Sequence, residues 1–147
     1  MYERILVATD GSQLSRKATR SAIGLAATTG AELVALHVVP RYPTNYIEGA
    51  VGISPKDIAS TEKAWAQTGQ AMVDAVRDEA IAKGVKARGT VVRSSFVAES
   101  IVAVAKKNKC DLIVMASHGR KGIKRLLLGS ETQQVLTHGA TPVLVLR

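Results

Sequence analysis

The sequence contains few of the residues that form disulfides, metal centres and aromatic binding surfaces. Its single cysteine, Cys110, has no partner for a disulfide within the chain, and its thiol is predicted to be a small buried hydrophobe in a reducing compartment. Together with three scattered histidines it offers no metal-ligand spacing, so no metal site made by the protein alone is predicted. Aromatic residues are only 3% of the chain, which argues against a stacking platform for single-stranded nucleic acid.

No apolar stretch in the sequence is long enough to cross a membrane. The longest candidate, 22–39, is interrupted by two threonines, Gly30 and Glu32, whereas a spanning helix needs roughly 20 apolar residues. The four apolar residues at 5–8 are too few for the core of a secretory signal. These observations predict a cytoplasmic protein without a membrane partner.

The motifs of several enzyme classes are also absent. There is no Gly-x-x-x-x-Gly-Lys-Ser/Thr loop and no Gly-x-Gly-x-x-Gly after a strand, so neither a P-loop enzyme nor a dinucleotide dehydrogenase is predicted. Ser117 and His118 are adjacent, but neighbouring residues of an extended segment point to opposite sides, so we do not expect a Ser-His pair. His37, inside an apolar run, is predicted to be a buried or edge histidine with a satisfied hydrogen bond. No catalytic constellation is predicted.

What the chain does contain is enough apolar content for one domain and a clear excess of positive charge. Its 147 residues are 46% hydrophobic, which fits a single domain spanning 1–147. Lys and Arg number 20 against 12 Asp and Glu, a formal net charge of +8. Such a charge attracts nucleic acid, anionic lipid and phosphorylated small molecules alike. Nucleic-acid binding would rest on this net charge alone and is not expected.

Short apolar runs alternate with helical patterns along the chain. This alternation predicts the α/β class, with a single open five-stranded parallel sheet and helices on both faces. Residues 40–56 hold three of the four prolines and are predicted to be an irregular surface loop. The predicted strands are 5–8, 33–39, 85–92, 112–115 and 143–146, and the predicted helices run from Ser12 to Gly30 and over 57–83, 99–107 and 130–138.

Within the predicted helix 57–83, one face is expected to pack into the core. Trp65, Met72, Val76 and Ala80 recur at helical spacing and form that face. The stripe is interpreted as core packing and not as a cofactor site.

A ligand-binding site is expected where strands end, because open parallel sheets bind ligands outside the carboxyl ends of their strands. Two segments qualify, 8–12 after the first strand and 116–122 after the fourth. The second leads to a helix start near Ser130, whose free amides favour an anion. Gly119 and Gly129 would let the backbone approach that anion, and the hydroxyls of Ser130 and Thr132 could add hydrogen bonds. Four cations cluster beside them, Arg120, Lys121, Lys124 and Arg125.

This arrangement predicts a binding site for a polyphosphate. A plain alternative is that the basic cluster is a solvated face, because Lys and Arg are mostly exposed. Asp10 has a similar alternative as an ordinary turn residue in Asp-Gly-Ser.

At these residues the sequence resembles the universal stress protein family, in particular its subgroup with an ATP-binding motif. The family pattern is Gly, two residues, Gly, nine residues, Gly, then Ser or Thr. Here Ala116, Gly119, Gly129 and Ser130 occupy those positions, with Ala in place of the first Gly. The opening 5–12, the segment 111–120 and the ending 141–145 are also similar to family signatures.

The resemblance implies a Rossmann-like fold of the adenine nucleotide alpha hydrolase type and a bound adenine nucleotide, ATP or else ADP or AMP, with or without a phosphate-bound Mg near Asp10. It also implies a stress-response regulatory protein with at most slow ATP hydrolysis. The nucleotide-binding residues carried over by position are Ala8, Thr9, Asp10, Val38, Met115, Ala116, His118, Gly119, Arg120, Gly129, Ser130, Glu131 and Thr132.

The resemblance further implies a homodimer through the last strand, around Val143, Leu144, Val145 and Leu146. An apolar strand at the edge of a sheet tends to pair with another strand, which predicts the same antiparallel contact. Partner proteins are not identified, although the loop from Pro40 to Pro55 is a candidate contact surface. The alternative function is a nucleotide-free dimeric interaction module, for which Ala116 is the sequence hint.

Overall fold

The computed structural model describes residues 1–43, 54–119 and 128–147, and within them five strands alternate with four helices. The predicted elements are confirmed, with boundaries that differ by no more than about two residues at most ends. The strands are β1 (Arg4–Ala8), β2 (Glu32–Val39), β3 (Ala87–Arg93), β4 (Leu112–Ala116) and β5 (Val143–Leu146), and the helices are α1 (Gln13–Thr29), α2 (Pro55–Ala82), α3 (Val97–Lys107) and α4 (Ser130–His138).

The strands form one parallel sheet in the order β3-β2-β1-β4-β5, which confirms the predicted fold class. The chain first builds outward from β1 through β2 to β3 and then returns to place β4 on the other side of β1. The order therefore reverses between β1 and β4. In open α/β sheets this reversal leaves a crevice at the carboxyl ends of the two strands.

Each face of the sheet has its own apolar core. Ile5 and Val7 of β1 pack with α1 and α2 on one face, and Leu6 packs with α3 and α4 on the other. Strand side chains alternate between faces, so a strand covered by helices on both sides must be apolar throughout. That requirement explains the continuous apolar run of β1.

The buried face of α2 agrees with the predicted one at Val76 and Ala80 and differs from it at the other two predicted residues. The helix buries Gly69, Val73, Val76 and Ala80, whereas Trp65 and Met72 are only partly buried. The prediction missed Gly69 because it counted large apolar residues and not glycine. A buried glycine allows close packing: a Cβ at Gly69 would lie 2.5 Å from Cδ2 of His37 on β2.

Trp65 instead stacks on Tyr42, which follows β2, with ring centroids 5.9 Å apart. The Tyr42 amide also donates to Oε1 of Glu62 at 3.0 Å. These contacts join the beginning of the predicted loop to α2. Most of that predicted loop, 44–53, lies outside the described residues.

Cys110 precedes β4 and is buried, as predicted. Burial raises the pKa of its thiol to about 11. The described helices include none long and apolar enough to cross a membrane.

Candidate functional site

The two segments predicted to carry the chemistry meet at the reversal between β1 and β4. A Cβ built on Gly119, which follows β4, would lie 2.7 Å from Oδ2 of Asp10, which follows β1. A side chain at residue 119 would therefore collide with the Asp10 carboxylate. Both segments thus lie at the reversal in strand order, and they meet where the Asp10 carboxylate packs against the backbone of Gly119.

The turn from β1 into α1 is fixed by its own side chains. The Ser12 amide donates to Oδ1 of Asp10 at 2.9 Å, which makes an Asx-turn. The Ser12 hydroxyl in turn accepts from the Ser15 amide at 3.1 Å and caps α1, as predicted. Gly11 has a φ of 78°, a left-handed conformation that favours glycine. Asp10 is thus both a turn residue and the side chain that meets Gly119.

Thr9 is attached to β2 through both of its backbone polar groups. Its amide donates to the Leu36 carbonyl oxygen at 2.9 Å, and its carbonyl oxygen lies 2.7 Å from Nδ1 of His37. The predicted satisfied hydrogen bond of His37 is confirmed, and β2 is an inner strand rather than an edge strand. Sequence reasoning did not connect His37 to the site. The available signal was its position two residues before the carboxyl end of the second strand.

The first turn of α4 lies directly beside the carboxyl end of β4. The Gly129 amide donates to the Ser117 carbonyl oxygen at 2.7 Å, and no described side chain caps the helix. Ser130 and Glu131 are exposed. The first-turn amides of a helix have no partner within it, so this end can accept an anion.

The prediction that the Thr132 hydroxyl adds a hydrogen bond to an anion is wrong. Thr132 is 2% exposed, and its hydroxyl donates to the carbonyl oxygens of Ala116 at 2.9 Å and Ser117 at 3.2 Å. Its side chain and that of Val135, three residues later, form the buried stripe of α4. The hydroxyl therefore anchors the helix to β4, and only the Thr132 amide remains a candidate ligand group.

The prediction that Ser117 and His118 do not pair is also wrong. Ser117 Oγ lies 3.2 Å from Nδ1 of His118. The strand ends at Ala116 and the backbone bends at the next two residues, so the alternation of an extended segment no longer applies. Ser117 is only 7% exposed, which makes it a poor nucleophile for an outside substrate.

Ala116, at the position where the family pattern has glycine, carries no backbone strain. Among the described residues Lys109 is the only non-glycine with positive φ, so Ala116 has an ordinary strand conformation. Its methyl group is accommodated at the end of β4, where the residue is 9% exposed.

Three apolar residues of the predicted site share one face of the sheet. Val38 and Met115 belong to the core cluster on the α3 and α4 face, and the partly buried Ala8 packs against it. They lie at the carboxyl ends of β2, β4 and β1 and form an apolar floor. The predicted phosphate ligand Arg120, with Lys121, Lys124 and Arg125, lies outside the described residues.

Comparison with known proteins finds similarity along the whole chain. Residues 1–147 match the model of the universal stress protein family. The chain is 33% identical to the universal stress protein MJ0531 of Methanocaldococcus jannaschii, over all of this chain and 83% of that protein. The solved structure of MJ0577 from the same organism is 26% identical, has a TM-score of 0.83, and is matched over 99% of this chain and 96% of that one.

A second solved structure provides a ligand for comparison. It is a universal stress protein in complex with cAMP, 26% identical with a TM-score of 0.69, and the match covers 99% of this chain and 97% of that one.

Proposed function

Because this chain belongs to the universal stress protein family, we propose that it binds an adenine nucleotide, ATP in the first instance, in the crevice between the carboxyl ends of β1 and β4. The observation that carries the proposal is the convergence of three features there. Asp10 packs on the bare backbone of Gly119, the start of α4 has no described side-chain cap, and an apolar floor lies alongside. A structural relative in complex with cAMP supports an adenine nucleotide as the ligand class.

The phosphates are proposed to lie at the first turn of α4. The amides of Ser130, Glu131 and Thr132 and the exposed Ser130 hydroxyl are the donors there. Arg120 is proposed to add a cation from the sequence segment that follows Gly119. The helix dipole adds positive potential at the same end, which favours a polyphosphate over a neutral ligand.

The nucleoside is proposed to extend across the ends of β1 and β2. Asp10 is proposed to face the ribose, with Ala116 beside the sugar, while the buried Thr9 holds the turn that carries Asp10. Ala8, Val38 and Met115 provide apolar contacts for the adenine. His118 is proposed to position the loop after β4, through its contact with Ser117.

A Mg ion would depend on the nucleotide for most of its ligands. In the described part of the chain no three His, Cys, Asp or Glu side chains form a cluster that could hold a metal. Asp10 is the carboxylate proposed to help hold it, because Mg commonly binds through one or two carboxylates together with substrate phosphates.

The functional unit is proposed to be a homodimer in the cytoplasm that regulates protein partners according to nucleotide loading in a stress response, with at most slow hydrolysis. The two edges of the sheet differ. β3 has exposed Arg88 and Arg93, whereas β5 consists of four apolar residues and Leu144 is 40% exposed. Charged residues protect an edge strand from pairing, so β5 is the edge suited to a second copy.

A nucleotide-free interaction module is the second candidate, and one observation favours it. A Cβ at Gly129 would lie 3.1 Å from Cα of His118 and 3.2 Å from the Ser117 carbonyl oxygen. Packing within the protein thus already favours glycine at a motif position. A larger residue there would disturb the fold as well as any ligand, so the test of binding must use other residues.

The deciding experiment is analysis of small molecules released by heat denaturation of the purified protein, followed by calorimetric titration with ATP and cAMP. Ser130→Asp places a carboxylate among the proposed phosphate donors and should weaken ATP binding at least about tenfold. The same change favours helix formation, so the loss would not reflect unfolding.

Gln67→Glu, on the exposed side of α2, is the matched control because it changes the net charge by the same amount. It should bind ATP as the wild type does. If the released material contains no nucleotide and neither ligand binds in the titration, the nucleotide proposal is wrong and the interaction module is favoured.

A further inference from the structure

The imidazole ring of His37 contacts the rest of the protein along two of its edges, one at Nδ1 and one at Cδ2. Its Nδ1 atom lies 2.7 Å from the carbonyl oxygen of Thr9. A carbonyl oxygen can only accept, so Nδ1 carries the proton and donates. The Cδ2 edge of the same ring faces the backbone of α2 at Gly69.

The position of α2 therefore determines where this ring can lie. A Cβ at Gly69 would be 2.5 Å from Cδ2 and 3.4 Å from Cγ of His37, and 3.3 Å from Cγ2 of Val39. A contact of 2.5 Å is far inside van der Waals separation, so the ring or the helix would have to move. Glycine at residue 69 therefore allows the His37 ring to pack directly against the backbone of α2.

The other edge of the ring acts on the β1–α1 turn. The Thr9 carbonyl belongs to the peptide group that joins Thr9 to Asp10. With the Thr9 amide already bound to the Leu36 carbonyl oxygen, the hydrogen bond from His37 fixes this peptide group as well. Rotation of that peptide would move the Asp10 carboxylate relative to Gly119, where the two are packed together.

We propose that His37 is a positioning residue of the nucleotide site and that Gly69 of α2 holds it there. The inference rests on the proposed function and extends it. The backbone of α2 at Gly69 limits the position of the His37 ring, the ring holds the Thr9 carbonyl, and the Thr9 carbonyl fixes the orientation of Asp10. His37 itself does not touch the ligand. It acts through the Thr9 carbonyl.

Affinity for ATP in a set of His37 and Gly69 variants tests the inference. His37→Leu has a similar volume but no donor, and should weaken ATP binding about tenfold. His37→Asn places an amide donor where Nδ1 lies and should stay within about threefold of the wild type. Recovery by the conservative variant would not be expected if His37 served only to fill space.

The Gly69 variants test the second edge of the ring. Gly69→Ala should weaken ATP binding by a factor similar to that of His37→Leu. The same change made together with His37→Leu should have little further effect, because leucine has already lost the donor through which the ring acts on the Thr9 carbonyl oxygen.

Gly89→Ala is the matched control for disturbance of the α2 packing. A Cβ at Gly89 on β3 would lie 2.8 Å from Cγ2 of Val73, so this variant strains the same contact between helix and sheet without touching His37. It should lower thermal stability and leave ATP affinity unchanged.

The outcomes separate the two claims. A wild type that binds neither ATP nor cAMP overturns the proposed function and this inference with it. If the wild type binds ATP and His37→Leu binds it with the same affinity, this inference alone is overturned. The same holds if Gly89→Ala weakens ATP binding as much as Gly69→Ala does.

Discussion

The carboxylate of Asp10 occupies the space that a side chain at residue 119 would need, with Oδ2 2.7 Å from the Cβ position of Gly119. This contact joins the ends of β1 and β4, which are central neighbours in the sheet but lie more than 100 residues apart in sequence. The contact therefore favours glycine at residue 119 for a reason that does not depend on any ligand. It also makes the position of the carboxylate sensitive to one methyl group.

Gly119→Ala should weaken ATP binding about tenfold, because the added methyl group displaces Asp10. Gly119 is not among the described glycines with positive φ, so alanine brings no backbone strain. Isothermal calorimetry measures the effect. Gly24→Ala is the control: nothing lies within 4 Å of its Cβ position in α1, and it should stabilise the fold by about 0.5–1 kcal/mol without changing affinity. Equal affinity in the two variants would contradict the prediction.

Thr132→Val should lower the free energy of unfolding by about 1–2 kcal/mol. The variant keeps the shape of the side chain but removes the hydroxyl that donates to the Ala116 and Ser117 carbonyl oxygens. Thr132→Ser keeps the hydroxyl and should lose less stability than the valine variant. Urea denaturation of the three proteins measures the difference. A valine variant as stable as the wild type would show that this anchor contributes nothing.

Stability should fall at alkaline pH through Cys110. Burial raises the pKa of its thiol from 9.0 to about 11. Above pH 9 the unfolded chain releases this proton while the folded chain retains it until about pH 11, so rising pH favours unfolding across that window. Denaturation at a series of pH values measures the slope. Cys110→Ala should flatten it, and an unchanged slope in that variant would assign the effect to other groups.

Val145→Pro should convert the proposed dimer into a monomer. The carbonyl oxygen of Pro142 accepts from Ile113 of β4 and that of Leu146 from Ser117 just after β4. By the alternation of a parallel ladder, the Val145 amide therefore points to the open edge. Proline removes that outward donor and leaves the pairing with β4 in place. Val145→Ala keeps the donor and should remain dimeric. Light scattering at micromolar concentration is the measurement, and a monomeric wild type would refute the dimer itself.

The sequence predicted the elements of the fold well because their signals are local. The continuous apolar runs 5–8 and 112–115 indicated strands covered on both faces, and Ser12 and Gly30 marked the ends of α1. The spacing of apolar residues was a less reliable guide to the buried face of α2, because that face includes Gly69. A glycine contributes nothing to an apolar pattern, yet it permits the closest packing against the sheet.

The α/β class, the family resemblance and the two strand ends where a ligand is proposed to bind could all be predicted from the amino-acid sequence. These follow from apolar period, turn residues and motif spacing, all of which are read along the chain. Three contacts become visible in the packed fold: the Thr132 hydroxyl faces β4, Ser117 touches His118, and His37 donates to the Thr9 carbonyl oxygen. Such contacts depend on where a side chain points once strands and helices are packed, and that direction is set by residues distant in sequence.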